Sequence, residues 1–105
     1  MTKRSLIVAR IAPGAADKVA EIFRASDSTE LPGVAGVRHR SLWVLEDLYA
    51  HWIEADEQVD VTRLREHPLF KQVSKDLDPY IRPYNPSTWR SPADAFAREF
   101  YSFDR

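Results

Sequence analysis

The chain contains no cysteine. Disulfides, thiolate metal sites and cysteine nucleophiles are thereby excluded. Glycine is scarce, with only three in 105 residues, and none forms part of a glycine-rich loop able to wrap backbone amides around a phosphate. No Gly-x-Ser-x-Gly nucleophile turn is present. No apolar run approaches the roughly 18 residues that a membrane span needs. The short apolar stretch after Lys3-Arg4 is interrupted by Arg10 and has no small-residue cleavage site, so it reads as a strand and not a signal peptide. Neither sign of charge dominates: the net charge is −1, far from the basic excess of a nucleic-acid binder. These exclusions leave one soluble domain over residues 1–105, expected in the cytoplasm, with neither nucleic acid nor membrane as partner.

What remains is dense in alternating apolar residues. Residues 3–11, KRSLIVARI, read as a first strand ended by Pro13-Gly14. A helix is expected over 15–25, where Ala16, Val19, Ala20 and Phe23 recur at helical spacing. SDSTELPG (26–33) breaks it, because Ser, Asp and Thr compete for backbone hydrogen bonds and Pro32-Gly33 ends a helix. Residues 34–45 and 48–55 read as two strands of a tight antiparallel hairpin around Glu46-Asp47. That pair lacks the glycine a two-residue turn prefers, which leaves a longer loop open as an alternative. A helical region over 61–77 is broken at His67-Pro68, with Pro68 able to start a second helix. Residues 76–94 hold four of the seven prolines and read as a long irregular segment. Its aromatics, Tyr80, Tyr84 and Trp89, suggest a packed loop or lid. FAREFYSF (96–103) reads as a final strand.

The order β-α-β-β-α-β is that of an α+β, ferredoxin-like fold with a four-stranded antiparallel sheet. Helices would cover one sheet face. The other must meet water or a partner, so a homodimer is expected.

A two-residue hairpin loop pairs residue 42 with 51 and residue 40 with 53. One face then carries Arg40, Leu42, Val44, Tyr49, His51 and Ile53. Arg40 and His51 become diagonal neighbours, within reach of a long side chain. Burial and the guanidinium both favour neutral imidazole, which can accept a proton. Arg40 stays charged and suits an enolate or alkoxide oxygen. On spacing alone, His51 fits either a structural histidine or an acid–base group. Ser26 and Asp27 read first as turn or capping residues. The histidines at 39, 51 and 67 lack metal-ligand spacing.

The stretches SDSTELPG, GVRHRSLWVLEDLYAHWIEAD, HPLFKQVSKDLDPYIRPYNP with Trp89, and AREFYSF occur together and in order. In this combination the chain resembles the small polyketide cyclases of bacterial aromatic (type II) pathways, the tetracenomycin F2 cyclase type. The resemblance spans nearly the whole chain. It implies a ferredoxin-like protomer in a dimeric α/β barrel-type assembly, with a pocket between sheet and helices and no metal or organic cofactor. It also implies a cyclase/aromatase that acts on a poly-β-ketone, free or on an acyl carrier protein, by aldol condensation and dehydration. His51 falls on the family's acid–base histidine, Arg40 on its arginine and Asp27 on its aspartate. Ser26 stands where the tetracenomycin enzyme has a second histidine, and serine is no comparable acid or base near neutral pH. Leu42, Tyr49, Ile53 and Trp89 are expected, with Ser26, to line the substrate site. Two alternatives keep the fold: a cofactor-free quinone-forming monooxygenase, and a non-catalytic subunit that assists the synthase.

Overall fold

In the computed structural model, which describes residues 2–90 and 92–105, strand β1 (Thr2–Ile11) leads through a turn at Pro13-Gly14 into helix α1 (Ala16–Asp27). Helix α1 buries Val19, Phe23 and Ser26, a stripe at i, i+4, i+7 that faces the sheet. A short helix α2 (Leu31–Ala35) follows, where a break and then a strand from Val34 were expected. Pro32 stands in its first turn, where proline's missing N–H has no helical partner to lose. Gly36 closes it at φ +67° in the left-handed region. A Cβ on Gly36 would also lie 2.7 Å from Val59 Cγ2, so glycine is required there on two grounds.

Strands β2 (Val37–Leu45) and β3 (Leu48–Asp56) form the expected hairpin. Its register pairs Leu45 with Leu48, Leu42 with His51 and Arg40 with Ile53. The loop is only Glu46-Asp47, not longer. Glu46 adopts φ +55° without glycine's freedom. Asp47 ties the loop down: its carboxylate accepts from Arg10 Nη1 at 3.2 Å, and its carbonyl accepts the Ile11 amide at 2.8 Å.

Helices α3 (Val61–Glu66) and α4 (Pro68–Leu77) are separated at His67, as the proline implied. His67 is extended, and its Nδ1 accepts the Leu69 amide at 3.1 Å, which caps α4. Strand β4 (Ile81–Arg82) then pairs with Ile11 and Arg10 of β1. The sheet order is β2-β3-β1-β4, all neighbours antiparallel.

The fourth strand therefore lies inside the proline-rich segment, and 96–103 does not form a strand. Pro83 follows β4 and has no N–H to extend the ladder. After a 3₁₀ turn (Pro92–Ala95), the tail touches β1 through an isolated bridge between Phe96 and Ile7 and an Ala97 amide bond to the Leu6 carbonyl at 2.7 Å. Beyond that, Phe100, Tyr101 and Phe103 are exposed. Nothing buries one face of the tail, so nothing sets a strand register. Ser91, part of the expected irregular segment, lies outside the described residues.

Ala9, Ile11, Val19, Phe23 and Tyr49 make the buried core, and Val73 and Leu77 of α4 pack against it. Helices α1 and α4 thus cover one sheet face. On the opposite face Trp43 is 65% exposed and Leu45 71%. There Leu6, Ser41, Trp43 and Trp52 line a broad groove of about 600 Å³. Among the described residues no helix is long and apolar enough to cross a membrane.

Candidate active site

Three elements converge at one end of the covered face. The end of α1 presents Asp27, β2 presents Arg40, and β3 presents His51. The β2–β3 register makes Arg40 and His51 diagonal neighbours on the helix side of the sheet. Residues 23 and 27 are one helical turn apart, which sets Phe23 beneath the same spot.

These residues form a hydrogen-bonded chain. Asp27 accepts from Arg40 in a two-point fork, Oδ1 from Nη2 at 3.0 Å and Oδ2 from Nε at 3.2 Å. Arg40 Nη1 lies 2.9 Å from His51 Nε2. His51 Nδ1 lies 3.2 Å from the Tyr49 hydroxyl. Arginine has no lone pair to offer, so His51 Nε2 accepts and the imidazole is neutral. Three of the five guanidinium N–H groups are engaged; among the described residues the other two have no hydrogen-bond acceptor. The guanidinium carbon also sits 4.7 Å above the Phe23 ring, and the His51 ring meets Phe23 edge-on at 5.0 Å. Phe23 thus fixes both groups from below.

Burial sets the electrostatics. His51 is 4% exposed. That desolvation, with the Arg40 charge second, pushes its pKa down to about 3. Burial drives the Tyr49 hydroxyl the other way, well above the ordinary phenol range, against the opposing pull of Arg40. Imidazole and phenol are both neutral at neutral pH. The Arg40 side chain is 16% exposed and that of Asp27 37%, so the ion pair lies at the border between core and water.

The mouth is an open cleft of about 390 Å³, with Ala20, Phe23 and Asp27 on the α1 side and Arg40 and Leu42 on the β2 side. Leu42 and Ile53 sit opposite His51 and Arg40 in the hairpin. Tyr49, expected to line the substrate site, is buried in the core behind His51. Ser26 is buried on α1, its carbonyl taken by the Thr29 hydroxyl at 2.6 Å, outside the chain of hydrogen bonds. Trp89 packs against the core, and Tyr84 lies under the Arg10 guanidinium at 4.7 Å; neither lines the cleft. Phe23 was read from the sequence only as part of an apolar stripe. Its i, i+4 relation to Asp27 was the available signal. His39 lies on the outer face against Ser41, and His67 caps α4.

Fold and cleft together define a small α+β protein with a cation and a neutral base acceptor beside an open cleft lined by both apolar and charged side chains. The chain belongs to the polyketide synthesis cyclase family, whose model matches residues 3–104. It is 53% identical over 104 residues to an uncharacterized protein of Streptomyces coelicolor, covering 96% of this chain and 94% of the relative. It is 45% identical over 103 residues to polyketide synthase CurG of Streptomyces cyaneus, covering 96% of each. To tetracenomycin F2 cyclase of Streptomyces glaucescens it is 41% identical over 105 residues, covering 98% of this chain and 95% of the relative. The solved structure of that enzyme, described as a type II polyketide cyclase, matches with a TM-score of 0.87 over 98% of both chains.

Proposed function

We propose that this protein is an aromatic polyketide cyclase that closes one ring of a poly-β-ketone by intramolecular aldol condensation and then releases water. The observation that carries the reading is the Arg40 guanidinium, held by Asp27 on one side and His51 Nε2 on the other at the mouth of the cleft. A substrate oxygen that gains negative charge is a stronger acceptor than neutral imidazole. Nη1 of Arg40 then turns to that oxygen, and the His51 lone pair is released toward the carbon beside it. The oxyanion also offsets the Arg40 charge felt by His51, which raises its proton affinity as the transition state forms.

The steps balance. His51 Nε2 takes a proton from a carbon flanked by two carbonyls, leaving an enolate held by Arg40. That carbon bonds to a distant carbonyl carbon, whose oxygen becomes an alkoxide and takes the proton back. His51 then removes a second proton from the same carbon, the C–O bond breaks, and the imidazolium protonates the departing hydroxyl, which leaves as water. Nothing is oxidised or reduced, so these steps need no electron carrier. Asp27 keeps Arg40 aimed, and Phe23, Ala20 and Leu42 shape the folded chain.

The strand order β2-β3-β1-β4 supports a ferredoxin-like assignment. Exposed Trp43 and Leu45 on the uncovered face support a homodimer built on that face. A monomer mass for the wild-type protein by light scattering at micromolar concentration would refute the dimer. The function is tested by co-expression with a minimal aromatic polyketide synthase. A shift from mixed products to one dehydrated aromatic product is expected, and it should be lost in Arg40→Met and His51→Gln. Unchanged products with those variants would overturn the site. A product heavier by one oxygen would assign a monooxygenase instead.

A further inference from the structure

The proton of a neutral imidazole sits on one ring nitrogen, and the choice decides what the ring can do. Arg40 occupies Nε2 at 2.9 Å as a donor, so the proton belongs on Nδ1. That nitrogen is turned inward, away from the cleft, where a buried N–H without an acceptor is costly. The Tyr49 hydroxyl meets it at 3.2 Å. Residues 49 and 51 lie on the same face of β3, two positions apart, so the strand itself sets their spacing. The Tyr49 ring is locked in the core with Val19 and Phe23 and meets the His51 ring edge-on at 6.1 Å.

We infer that Tyr49 is a positioning residue: its buried hydroxyl accepts the His51 Nδ1–H and holds the tautomer whose Nε2 lone pair faces Arg40, which in turn lines the cleft. This rests on the cyclase reading and adds what orients its base. It replaces the role of a substrate-lining residue expected for Tyr49. The choice of a phenol has a chemical consequence. A carboxylate at that position would stabilise the imidazolium and raise its proton affinity. A neutral phenol does neither, so the imidazolium formed in each step is a strong acid. In the aldol sequence the same group must return its proton twice, first to an alkoxide and then to a departing hydroxyl. A strongly acidic imidazolium suits both transfers.

The test begins with the wild-type protein labelled with ¹⁵N-histidine at pH 7. His51 should show a protonated Nδ1 and an unprotonated Nε2. A proton on Nε2 would overturn the inference without any variant. In Tyr49→Phe the His51 nitrogen signals should move toward an average of the two tautomers, and kcat should fall about tenfold with KM within about twofold. A variant that keeps the wild-type nitrogen pattern refutes the inference, whatever its kcat. The tautomer is measured without substrate. Failure of the cyclase reading therefore shows in the co-expression products, and failure of the Tyr49 inference in the nitrogen spectrum.

Discussion

Replacing His51 with glutamine should flatten the acid dependence of stability. In the unfolded chain an imidazole titrates at 6.5, and in the fold His51 is pushed down to about 3. Because the folded value is lowered, the unfolded chain binds the proton first. The stabilisation is fully present above pH 6.5 and is lost as pH falls toward 3, at about 1.4 kcal/mol per pH unit. Summed from pH 7 to pH 5, the wild-type protein should lose about 2 kcal/mol through this one group. The glutamine side chain has no titratable proton, and its amide oxygen can still accept from Arg40. The carboxylates, His39 and His67 are common to both proteins and cancel in the difference. Urea unfolding of both proteins at pH 7 and pH 5, at one protein concentration, measures the quantity directly. The wild-type protein should lose about 2 kcal/mol more than the variant over that interval. If both lose the same amount, the fold does not hold His51 neutral, and the case for a pre-formed acceptor at Nε2 collapses.

Arg40→Met should raise the pKa of His51, since one of its two lowering causes is removed, yet leave it below 6.5 because burial, the larger cause, remains; ¹⁵N titration of the ring reads this. Gly36→Ala should cost about 1–3 kcal/mol in urea unfolding, from the left-handed backbone and the approach to Val59. Glu46→Gly should stabilise by up to about 1 kcal/mol by relieving the positive φ in the hairpin loop; a lower urea midpoint would contradict the strain reading.

The hairpin was legible because two independent signals agree. Alternation fixes which residues share a face, and a two-residue loop fixes the pairing, so the sequence alone sets Arg40 and His51 side by side. Asp27 was not reachable by that logic. It sits two elements away, and only the resemblance to a family brought it to the site. Helix α2 was hidden because Pro32 reads as a terminator, whereas in the first turn of a helix proline is a starter; Gly36 downstream was the missing clue. Strand β4 is two residues between prolines, too short to show alternation. The aromatic tail misled in the opposite direction: its residues favour strands, but sheet membership depends on a buried face and a paired edge. Tyr49 lies on the expected face of the sheet but is buried in the core, because spacing shows which side a residue faces but not how deep it lies.

The shortness of β4 has a further bearing on handling this protein. It pairs with β1 only at Arg10 and Ile11, so along Thr2–Ala9 that edge of the central strand depends on the tail. The Phe96 bridge, the Ala97 amide and the Arg4 contacts to Glu99 and Ser102 drape the tail across it. Removing residues 96–105 would bare a row of backbone donors and acceptors beside Leu6 and Val8, a template on which other chains can add strands. A truncated version should therefore fail in the test tube by aggregating before it fails by unfolding.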